Sequence, residues 1–578
     1  MNTYDNHAVA ALLDRMADLM ELAGEDKFRF LAYRKAAHAL RGWPHPAADA
    51  VRTGTLTEIP GIGPKMAGHV KAIFETGTFP AYEEFRARFP DGIVDVMAVS
   101  GVGPKRAAQL YASLGVASLD ELDAAVADGR VAQLRGFGAK SAEQIAAGVA
   151  AYRRHHERIL LAEAAPLAER IVAELVESGA VLAAEPAGSL RRRKETIGDI
   201  DIVVASDDPA AVMEAARTLP SVTRVVAAGE TKTSVETTAG LQVDVRVVEP
   251  SQYGAALQYF TGSREHNVHI RELAKRAGLK VNEYGVFRVD DGERVAGATE
   301  AEVYAALGMD VPPAEIREDG GEVEAALEHR LPHLVGVGDI RGDLQTHSDW
   351  TDGRSTLAGN RERAALLGYE YFAATDHARP GLPMTGIDEA AFERQWEEID
   401  RLNADGSGLP VILKGVELNI AQDGSLGFSD DFLARFDVVL ASLHSGWGRE
   451  EAEGTARLLA ACENPHVDVI AHPTARVLGR RDPVAFDADA VFEAAGRTGT
   501  ALEINAYPDR LDLSDANVRL ARPHGVEFTI STDAHAAEQL DYLPWGVSVA
   551  RRGWLTAADV LNTLPLPELL ATLGRPRP

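Results

Sequence analysis

After about residue 336, short apolar segments alternate regularly with helical segments, and few folds accommodate such a pattern. The apolar segments are rich in Val, Ile, Leu and Phe. In chain order they read YEYFAATDH, LPVILKGVELNI, DVVLASLHS, VDVIAHP, TALEINAYP and VEFTISTDAH. Short buried strands joined by helices form parallel sheets that are covered by helices. Because the alternation continues almost to residue 578, it predicts an α/β barrel.

Residues before 336 follow two other patterns. Up to about residue 150, segments with helical periodicity are separated by short glycine turns. From about residue 180 the chain carries Val- and Ile-rich runs that predict strands, namely DIDIVVAS, VTRVVAAG and LQVDVRVVEP. A polar, proline-bearing stretch at 309–325 is the best candidate for a linker. With 578 residues the chain exceeds what one hydrophobic core supports, and about four domains are expected.

The formal net charge of −28 is unevenly distributed. Residues 1–300 have a charge balance of −6, and residues 301–578 have a balance of −22. The near-neutral first part can present a local basic face to nucleic acid, whereas the acidic second part fits either cation binding or a solubilising surface. Charge alone therefore does not decide the function.

Cysteine content and hydropathy indicate the cellular compartment in which this chain is expected. The single cysteine, Cys462, excludes an intramolecular disulfide framework and any zinc site built from several thiolates. No run of about 18 apolar residues is present, so we expect no membrane span. The N-terminal segment mixes charged and apolar residues at helical spacing, which is typical of an amphipathic helix and not of a signal peptide. A reducing cytoplasm is the expected compartment.

The pattern G-x-G-x-K occurs three times in the helical first part. Its glycines and lysines are Gly61, Gly63 and Lys65, then Gly101, Gly103 and Lys105, then Gly136, Gly138 and Lys140. Glycines allow positive φ and leave backbone N–H groups exposed at a helix N-terminus, where a phosphate binds well. One copy is more simply a tight turn between helices. Three copies favour a phosphate-binding role over simple turns. They resemble the helix-hairpin-helix motif, and this resemblance implies contacts with a DNA backbone that do not depend on base sequence.

Two carboxylates lie two residues apart on a predicted strand, at Asp199 and Asp201, so both side chains leave the same face. A third acid, Asp244, lies on another predicted strand. Upstream, Gly188 and Ser189 can offer backbone amides and a hydroxyl to phosphates. The D-x-D pattern by itself fits a solvated strand edge. The whole combination predicts phosphoryl transfer assisted by two divalent cations, because parallel carboxylates repel unless cations lie between them.

Histidines and acids follow the apolar strands of the second half. They are His347, Asp352, His377, Glu417, His444, His472, Asp533 and His535. The strand ends of a barrel converge on one rim, where active sites are built. Any one of these residues is more simply structural, but the recurrence at successive strand ends predicts a metal centre. Imidazole and carboxylate together suit Zn2+, Mn2+ or Fe2+.

The set formed by Gly188-Ser189, Asp199, Asp201 and Asp244 resembles the site of the family X DNA polymerases, and the resemblance covers most of residues 1–315. The segment Tyr259-Phe260-Thr261-Gly262-Ser263 adds to the resemblance. By this resemblance Asp199, Asp201 and Asp244 bind two Mg2+ or Mn2+ ions. The residues expected to hold the triphosphate are Gly188, Ser189, Arg192 and Gly198. Those expected at the sugar, the nascent base pair and the template are Tyr259, Phe260, Gly262, Asn267 and Arg271.

One departure from that family concerns the first glycine turn. The beta-like enzymes carry a lysine one helical turn further on, which forms a Schiff base with the 5′-sugar phosphate. Here His69 lies at the matching position. A histidine cannot form this imine, so the usual lyase chemistry is not expected.

The second half resembles the polymerase-and-histidinol-phosphatase (PHP) family over residues 336–578. That resemblance implies a distorted (βα)7 barrel with a trinuclear metal site. It also implies one or more of the activities 3′-to-5′ exonuclease, 3′-phosphatase and abasic-site endonuclease. The family usually opens with H-x-H, whereas this chain has Gln345-Thr346-His347. Glutamine is a weaker neutral donor, so Gln345 as a ligand implies one loosely held metal or a preference for Mn2+.

The predicted organisation is multidomain, with helical helix-hairpin-helix domains, an α+β nucleotidyltransferase palm and an α/β PHP barrel. The expected bounds are 1–85 for the N-terminal DNA-binding domain, 86–155 for a fingers-like domain, 156–250 for the palm, 251–315 for a thumb-like nascent-base-pair-binding subdomain, 316–335 for a linker and 336–578 for the barrel.

The predicted function is gap-filling DNA synthesis in repair, with metal-dependent processing of 3′ ends by the barrel. The expected partners are gapped or primer–template DNA and deoxynucleoside triphosphates (dNTPs), with no membrane, and the chain is expected to be monomeric. One alternative is a metal-dependent nuclease or phosphatase that uses the polymerase half only to bind DNA. Another is a non-catalytic DNA-end-binding scaffold.

Overall fold

The computed structural model describes residues 6–41, 47–59, 61–90, 92–99, 101–156, 158–379, 382, 386–446 and 450–574. Pro60 and Ser100, which open two of the glycine turns in the sequence, lie outside the described residues. The chain divides into two compact units, Met1–Glu157 and Arg158–Pro578.

The first unit is helical throughout its described part. Its helices are α1 (Asn6–Leu22), α2 (Lys27–Arg41), α3 (Ala47–Thr53), α4 (Pro64–Thr76), α5 (Pro80–Arg86), α6 (Ile93–Ala98), α7 (Gly103–Leu114), α8 (Leu119–Ala127) and α9 (Ala139–His156). Proline at the first position starts α4 and α5, where its missing N–H costs no hydrogen bond. One continuous hydrophobic core, which includes Leu13, Val70 and Leu110, joins the two helical domains expected from the sequence.

The second unit begins with the palm, the name used here for residues 158–250. Its elements are β1 (Ile159–Leu160), α10 (Leu161–Glu177), β2 (Ala183–Pro186), α11 (Gly188–Arg191), β3 (Thr196–Ile197), β4 (Asp199–Ala205), α12 (Pro209–Thr218), β5 (Val222–Ala228), β6 (Lys232–Thr237) and β7 (Gln242–Val248). Five strands form a sheet in the order β2-β4-β7-β6-β5, in which β4 and β7 are parallel. The three Val- and Ile-rich runs form β4, β5 and β7, which confirms them as strands.

The thumb, residues 251–315 of the sequence prediction, follows the palm. The next elements of the chain are α13 (Tyr253–Thr261), α14 (Arg264–Arg276), β8 (Leu279–Asn282), β9 (Gly285–Arg288), β10 (Arg294–Ala296), α15 (Glu300–Ala305) and α16 (Glu322–Leu327). Helix α16 lies within residues 316–335, which the sequence predicted as a linker. Arg317 is 1% exposed, and Val323 and Ala326 pack into the thumb core. This segment is therefore packed against the thumb, because its apolar residues recur at helical spacing.

The second half forms the predicted barrel. Its elements are β11 (Gly342–Thr346), α17 (Leu357–Leu366), β12 (Tyr371–Ala374), α18 (Glu389–Asn403), β13 (Val411–Asn419), α19 (Asp430–Leu433), β14 (Val438–Ser442), α20 (Glu451–Cys462), β15 (Val469–Ile470), α21 (Ala488–Thr498), β16 (Ala501–Asn505), α22 (Asp515–Ala521), β17 (Phe528–Ser531), α23 (Leu543–Arg552) and α24 (Leu566–Leu573). The seven strands are parallel and lie in chain order.

The first and last barrel strands meet. A parallel bridge joins Thr346 to Ala534, and the His347 N–H donates to the Ala534 carbonyl at 2.8 Å. Strand side chains such as Phe372, Val416 and Phe528 are buried in the core between the sheet and its helices. The barrel also contacts the palm directly, since Arg476 Nη2 lies 2.7 Å from Glu195 Oε2. The fold class predicted from strand–helix alternation is thereby confirmed.

Candidate functional site

The three palm aspartates lie at one end of two neighbouring parallel strands. Asp201 on β4 is the register partner of Asp244 on β7, and Asp199 precedes Asp201 on the same face. The Gly188 turn approaches them closely, because a Cβ built at Gly188 would lie 2.7 Å from Asp201 Oδ2. With its φ of +59°, this glycine leaves no room for a side chain. The structure thus brings the predicted phosphate-binding turn against the predicted metal ligands.

Burial and the neighbouring charges at this strand end shift the pKa values of Asp201 and Asp244 in opposite directions. Burial, and then the charges of Asp199 and Asp244, raise the pKa of Asp201 to about 6. Burial also acts to raise the pKa of Asp244, but hydrogen bonds, the first of them from Lys232, outweigh it and the net pKa is lowered. Lys232 Nζ lies 2.5 Å from Asp244 Oδ2. Sequence reasoning did not single out Lys232, and its register against β7 is what brings it there.

Removing the charge of Asp201 should stabilise the metal-free protein. Its raised pKa means that the ionised carboxylate is disfavoured on folding, and this penalty grows as pH rises from 3.8 to about 6. We expect Asp201→Asn to raise the free energy of unfolding by about 1–2 kcal/mol at neutral pH, with no gain near pH 3.8, the ordinary pKa of an aspartate. Chemical unfolding with a chelator at both pH values measures this. Asp207→Asn, an exposed site at the other end of β4, is the control; an equal gain there would contradict the prediction.

Arg192 and the Gly262 turn, both predicted to contact the nucleotide, lie together. Arg192 Nη1 donates to the Thr261 carbonyl, and it lies 3.3 Å from a Cβ built at Gly262. Arg192 Nε donates to Glu318 Oε1 at 3.0 Å. Ser189 lies in the short helix α11, one residue after Gly188, and Gly198 lies against Arg158 Nη1. The residues predicted to hold the triphosphate therefore surround one end of the palm sheet.

The predicted sugar and base-pair residues also come together. Asn267 Nδ2 donates to the Tyr259 carbonyl at 2.7 Å, and the Tyr259 and Phe260 rings meet edge to face at 5.2 Å. The Arg246 guanidinium lies 4.3 Å from the centroid of Phe260. Arg271 is exposed one helical turn after Asn267 and donates to its carbonyl at 3.1 Å. Their contacts with DNA or nucleotide stay predictions.

Each glycine turn of the first unit leads into a helix. The three turns precede α4, α7 and α9, and Lys65, Lys105 and Lys140 are all exposed. The second and third turns adjoin, because Arg106 donates to the Gly101 carbonyl at 2.7 Å and to the Gly136 carbonyl at 3.4 Å. Arg106 therefore holds the second and third turns side by side.

His69 lies among aromatic rings and has no amine. Its Nε2 lies 3.2 Å from the Tyr33 hydroxyl, and its ring centroid lies 4.6 Å from that of Phe79. Burial, and then the charge of Lys65, lower the pKa of His69. A neutral imidazole is therefore the favoured form near neutral pH.

Borohydride is expected not to trap this protein on a 5′-incised abasic site, because an imidazole forms no reducible imine with the sugar aldehyde. Gel detection of a covalent protein–DNA product measures it. His69→Lys, which restores an amine at the matching position, is the companion variant. Efficient trapping by the natural protein would overturn the expectation.

The barrel gathers the predicted ligands around Glu417. This residue is buried, and four imidazoles lie against its two oxygens: His472 Nε2 at 3.0 Å, His377 Nδ1 and His444 Nε2 at 3.2 Å, and His347 Nε2 at 3.4 Å. Burial acts to raise the pKa of Glu417, but the charges of His444 and His377 outweigh it and hold the pKa well below its ordinary value. Glu417 therefore has the geometry of a carboxylate shared between ions.

Two further acids complete the set. Asp533 Oδ1 lies 3.1 Å from His347 Nε2, and Asp352 lies 3.4 Å from His377 Nε2 and 3.5 Å from His535 Nε2. Three groups have ligand atoms within 4.8 Å of one another: His347, Asp352, His377 and His535; His377, Glu417 and His444; and His347, Glu417 and Asp533. Among the described residues, the three palm aspartates do not form such a group.

The barrel donors fit a cluster of metal ions. Several of their buried atoms have no hydrogen-bond partner within the described structure, namely His347 Nδ1 and Nε2, His377 Nδ1, His472 Nδ1 and Asp533 Oδ1. Buried polar atoms without partners are costly unless a ligand satisfies them. His472 and Asp533 also have positive φ values of 30° and 55°, a strained conformation that is concentrated at functional sites.

Gln345 is buried and pairs with another acid, Glu503. With its amide nitrogen facing that carboxylate, Gln345 donates to both oxygens, at 2.9 Å for Oε2. Glu503 Oε2 also accepts from the His472 N–H at 2.7 Å. Burial, and then the charge of Asp533, raise the pKa of Glu503 well above its ordinary value. A role for Gln345 as a ligand stays a prediction.

Sequence reasoning missed Glu503, although a signal was present. Glu503 and Asn505 repeat, at the end of β16, the Glu-x-Asn pattern that Glu417 and Asn419 form at the end of β13. Arg510 was also missed, and its Nε lies 3.5 Å from Asp533 Oδ2. It follows β16 in an irregular segment that no periodicity identifies.

Comparisons with known proteins agree with this geometry. The family described as DNA polymerase beta thumb matches residues 256–318. A helix-hairpin-helix domain matches residues 4–79, and a SAM-like helix-hairpin-helix tandem matches residues 93–150. The chain is 38% identical over 569 residues to the DNA polymerase/3′-5′ exonuclease PolX of Bacillus subtilis. The matched region covers 98% of this chain and 99% of the relative. The chain belongs to the PolX family of bacterial family X DNA polymerases.

Other relatives match parts of this PolX-family chain. DNA polymerase lambda of Rattus norvegicus is 26% identical over 337 residues, with 53% of this chain and 55% of the relative covered. A probable phosphatase of Thermoanaerobacter sp. is 30% identical over 220 residues, with 36% of this chain and 84% of the relative covered. The predicted family and its helix-hairpin-helix domains are confirmed. In the described part of the chain, no helix is long and apolar enough to cross a membrane.

Proposed function

We propose that this chain is a DNA-directed DNA polymerase that fills gaps during repair, and that its barrel processes 3′ ends by metal-dependent phosphoester hydrolysis. The observation that carries the proposal is the register pair Asp201–Asp244, with Asp199 on the same face and Gly188 against Asp201. This arrangement suits transfer of a nucleotidyl group, since carboxylates at one strand end lie beside a phosphate-binding turn. The family membership supports the same activity.

In the polymerase site, this chain's residues bind and orient the two reactants. Backbone amides at Gly188 and the Ser189 hydroxyl would hold the triphosphate, with the Arg192 guanidinium alongside. The primer 3′ oxygen would attack the α-phosphorus in line, forming one P–O bond while the bond to pyrophosphate breaks. Mg2+ or Mn2+ ions held by Asp199, Asp201 and Asp244 would supply charge neutralisation and a lowered pKa for the attacking hydroxyl.

In the barrel, Glu417 would be shared between metal ions, and the surrounding imidazoles would complete the coordination of those ions. The mixed imidazole and carboxylate donor set suits Mn2+, Zn2+ or Fe2+, which supply Lewis-acid chemistry for phosphoester hydrolysis. Arg510, beside Asp533, offers a cation to a substrate phosphate. The substrates proposed are 3′-terminal phosphodiesters, 3′-phosphates and abasic sites, which share the phosphoester bond.

The proposed partners are gapped or primer–template DNA and dNTPs. The exposed lysines beside the glycine turns, Lys65, Lys105 and Lys140, would contact DNA phosphates. We propose a monomeric chain, and light scattering during size-exclusion chromatography tests this.

A one-nucleotide-gapped duplex tests the proposed function. The purified chain is incubated with Mg2+ or Mn2+, with and without dNTPs, and product lengths are resolved on a gel. Templated extension by one nucleotide supports the polymerase activity. Shortening of the 3′ end alone, with no extension in either metal, would favour the alternative in which the polymerase half only binds DNA.

A further inference from the structure

An arginine of the barrel reaches the palm beside the nucleotide site. Arg552 ends helix α23, and its side chain is 4% exposed. Its Nη1 donates to the Arg192 carbonyl at 2.7 Å, and its Nη2 donates to Asp515 Oδ2 of the barrel at 2.5 Å. Arg552 therefore connects the barrel directly to the backbone of the residue that is proposed to bind the triphosphate.

Glu318 makes the second connection between these arginines. Its Oε1 accepts from Arg192 Nε at 3.0 Å and from Arg552 Nη1 at 3.1 Å, and Lys194 Nζ lies 3.2 Å away. Three cations therefore share one carboxylate oxygen. Glu318 is 23% exposed at its side chain and Arg192 is 13% exposed, so solvent screens this cluster only in part.

These contacts leave Arg192 free to bind an anion. A guanidinium carries five N–H groups in a rigid plane. The bonds to Glu318 and to the Thr261 carbonyl use two of them and determine the orientation of the plane. The remaining N–H groups are available to phosphate oxygens, and an oriented guanidinium loses less entropy on binding than a mobile one.

We propose that Glu318 and Arg552 are positioning residues that hold Arg192 in the orientation required by the dNTP triphosphate, so that the barrel supports nucleotide binding in the polymerase site. This inference rests on the proposed polymerase function. It adds a task to the barrel that is separate from its own metal centre, because Arg552 and Glu318 belong to none of the three groups of barrel ligands.

The direction in which removal of Glu318 changes nucleotide binding distinguishes a positioning role from a purely electrostatic one. If Glu318 acted only as a negative charge near the triphosphate, its removal would strengthen nucleotide binding. If it positions Arg192, its removal weakens binding although a repulsive charge is lost. Arg552 limits that repulsion, since it and Lys194 offset the charge of Glu318.

The test measures KM and kcat for dNTP incorporation into a one-nucleotide gap by the full chain. We expect Glu318→Ala and Arg552→Ala each to raise KM about tenfold and to change kcat by less than about twofold. The dissociation constant of the dNTP on a gap with a dideoxy-terminated primer should rise in parallel. Arg551→Ala is the matched control and should leave KM unchanged, because Arg551 lies next in sequence and donates to Glu315 Oε1 at 2.8 Å instead.

Each outcome decides the inference. A lower or unchanged KM in Glu318→Ala overturns it, and so does an equal rise in Arg551→Ala, which would indicate general loosening between barrel and thumb. If Arg552→Ala fails to fold because Asp515 loses its partner, the partly exposed Glu318→Ala decides alone. If the natural chain incorporates nucleotides and the variants match it, only this inference fails. If the natural chain incorporates none, the proposed function fails with it.

Discussion

Replacing Asp201 with alanine is expected to reduce templated nucleotide incorporation by about a thousandfold or more. Asp201 is the central acid of the palm site, since it pairs in register with Asp244, shares a face with Asp199 and lies against Gly188. Its loss removes a ligand proposed for metal ions that act directly on the reacting groups, and such losses appear mainly in kcat. Single-turnover extension of a one-nucleotide gap measures the effect.

The same variant should keep the activity of the barrel. Asp201 lies in the palm, and the barrel ligands come from separate strand ends. Asp207→Ala, at the opposite end of β4, is the control and should extend primers at the rate of the natural chain. Incorporation that survives in Asp201→Ala would show that the palm aspartates are not the catalytic ligands.

Replacing Glu417 with glutamine is expected to reduce barrel hydrolysis by about a hundredfold or more. Glu417 contacts four imidazoles, and the glutamine keeps its size while removing the charge that balances bound cations. We also expect fewer metal ions to remain bound after dialysis. Shortening of a 3′ end on a gel and metal content by atomic emission measure the two effects.

Polymerase activity should change by less than about twofold in Glu417→Gln, because its contacts lie within the barrel. The control is Glu397→Gln, an exposed position on α18, which should bind metal and hydrolyse substrate like the natural chain. Undiminished metal content in Glu417→Gln would contradict a shared carboxylate. Unchanged hydrolysis would remove the barrel cluster as the hydrolytic site.

Much of the fold follows from local pattern. The apolar runs after residue 336 form barrel strands because short buried β-segments between helices have few other arrangements. The residues from His347 to His535 converge because the carboxyl ends of parallel strands share one rim. Asp199 and Asp201 share a face because side chains alternate along a strand.

Other features depend on distant elements. Lys232 reaches Asp244 only through the pairing of β6 with β7, and Arg246 reaches Phe260 only once α13 packs against the sheet. The stretch at 309–325 looked like a linker because it is polar and bears prolines, yet α16, which lies within the linker expected at 316–335, packs Val323 and Ala326 into the thumb core. Local composition does not report which surface a segment will cover.

By itself, the sequence determined the chemistry available to this protein: three palm carboxylates beside a glycine turn, and imidazoles and acids at successive strand ends. Only the tertiary structure decided which charges balance them. Glu503 faces Gln345, Lys232 pairs with Asp244, and Arg552 joins Glu318 to the backbone of Arg192. The physical reason is range. Periodicity and motif spacing act between near neighbours in the chain, whereas the hydrogen bond from the Arg552 side chain to the Arg192 carbonyl exists only after the barrel has packed against the palm.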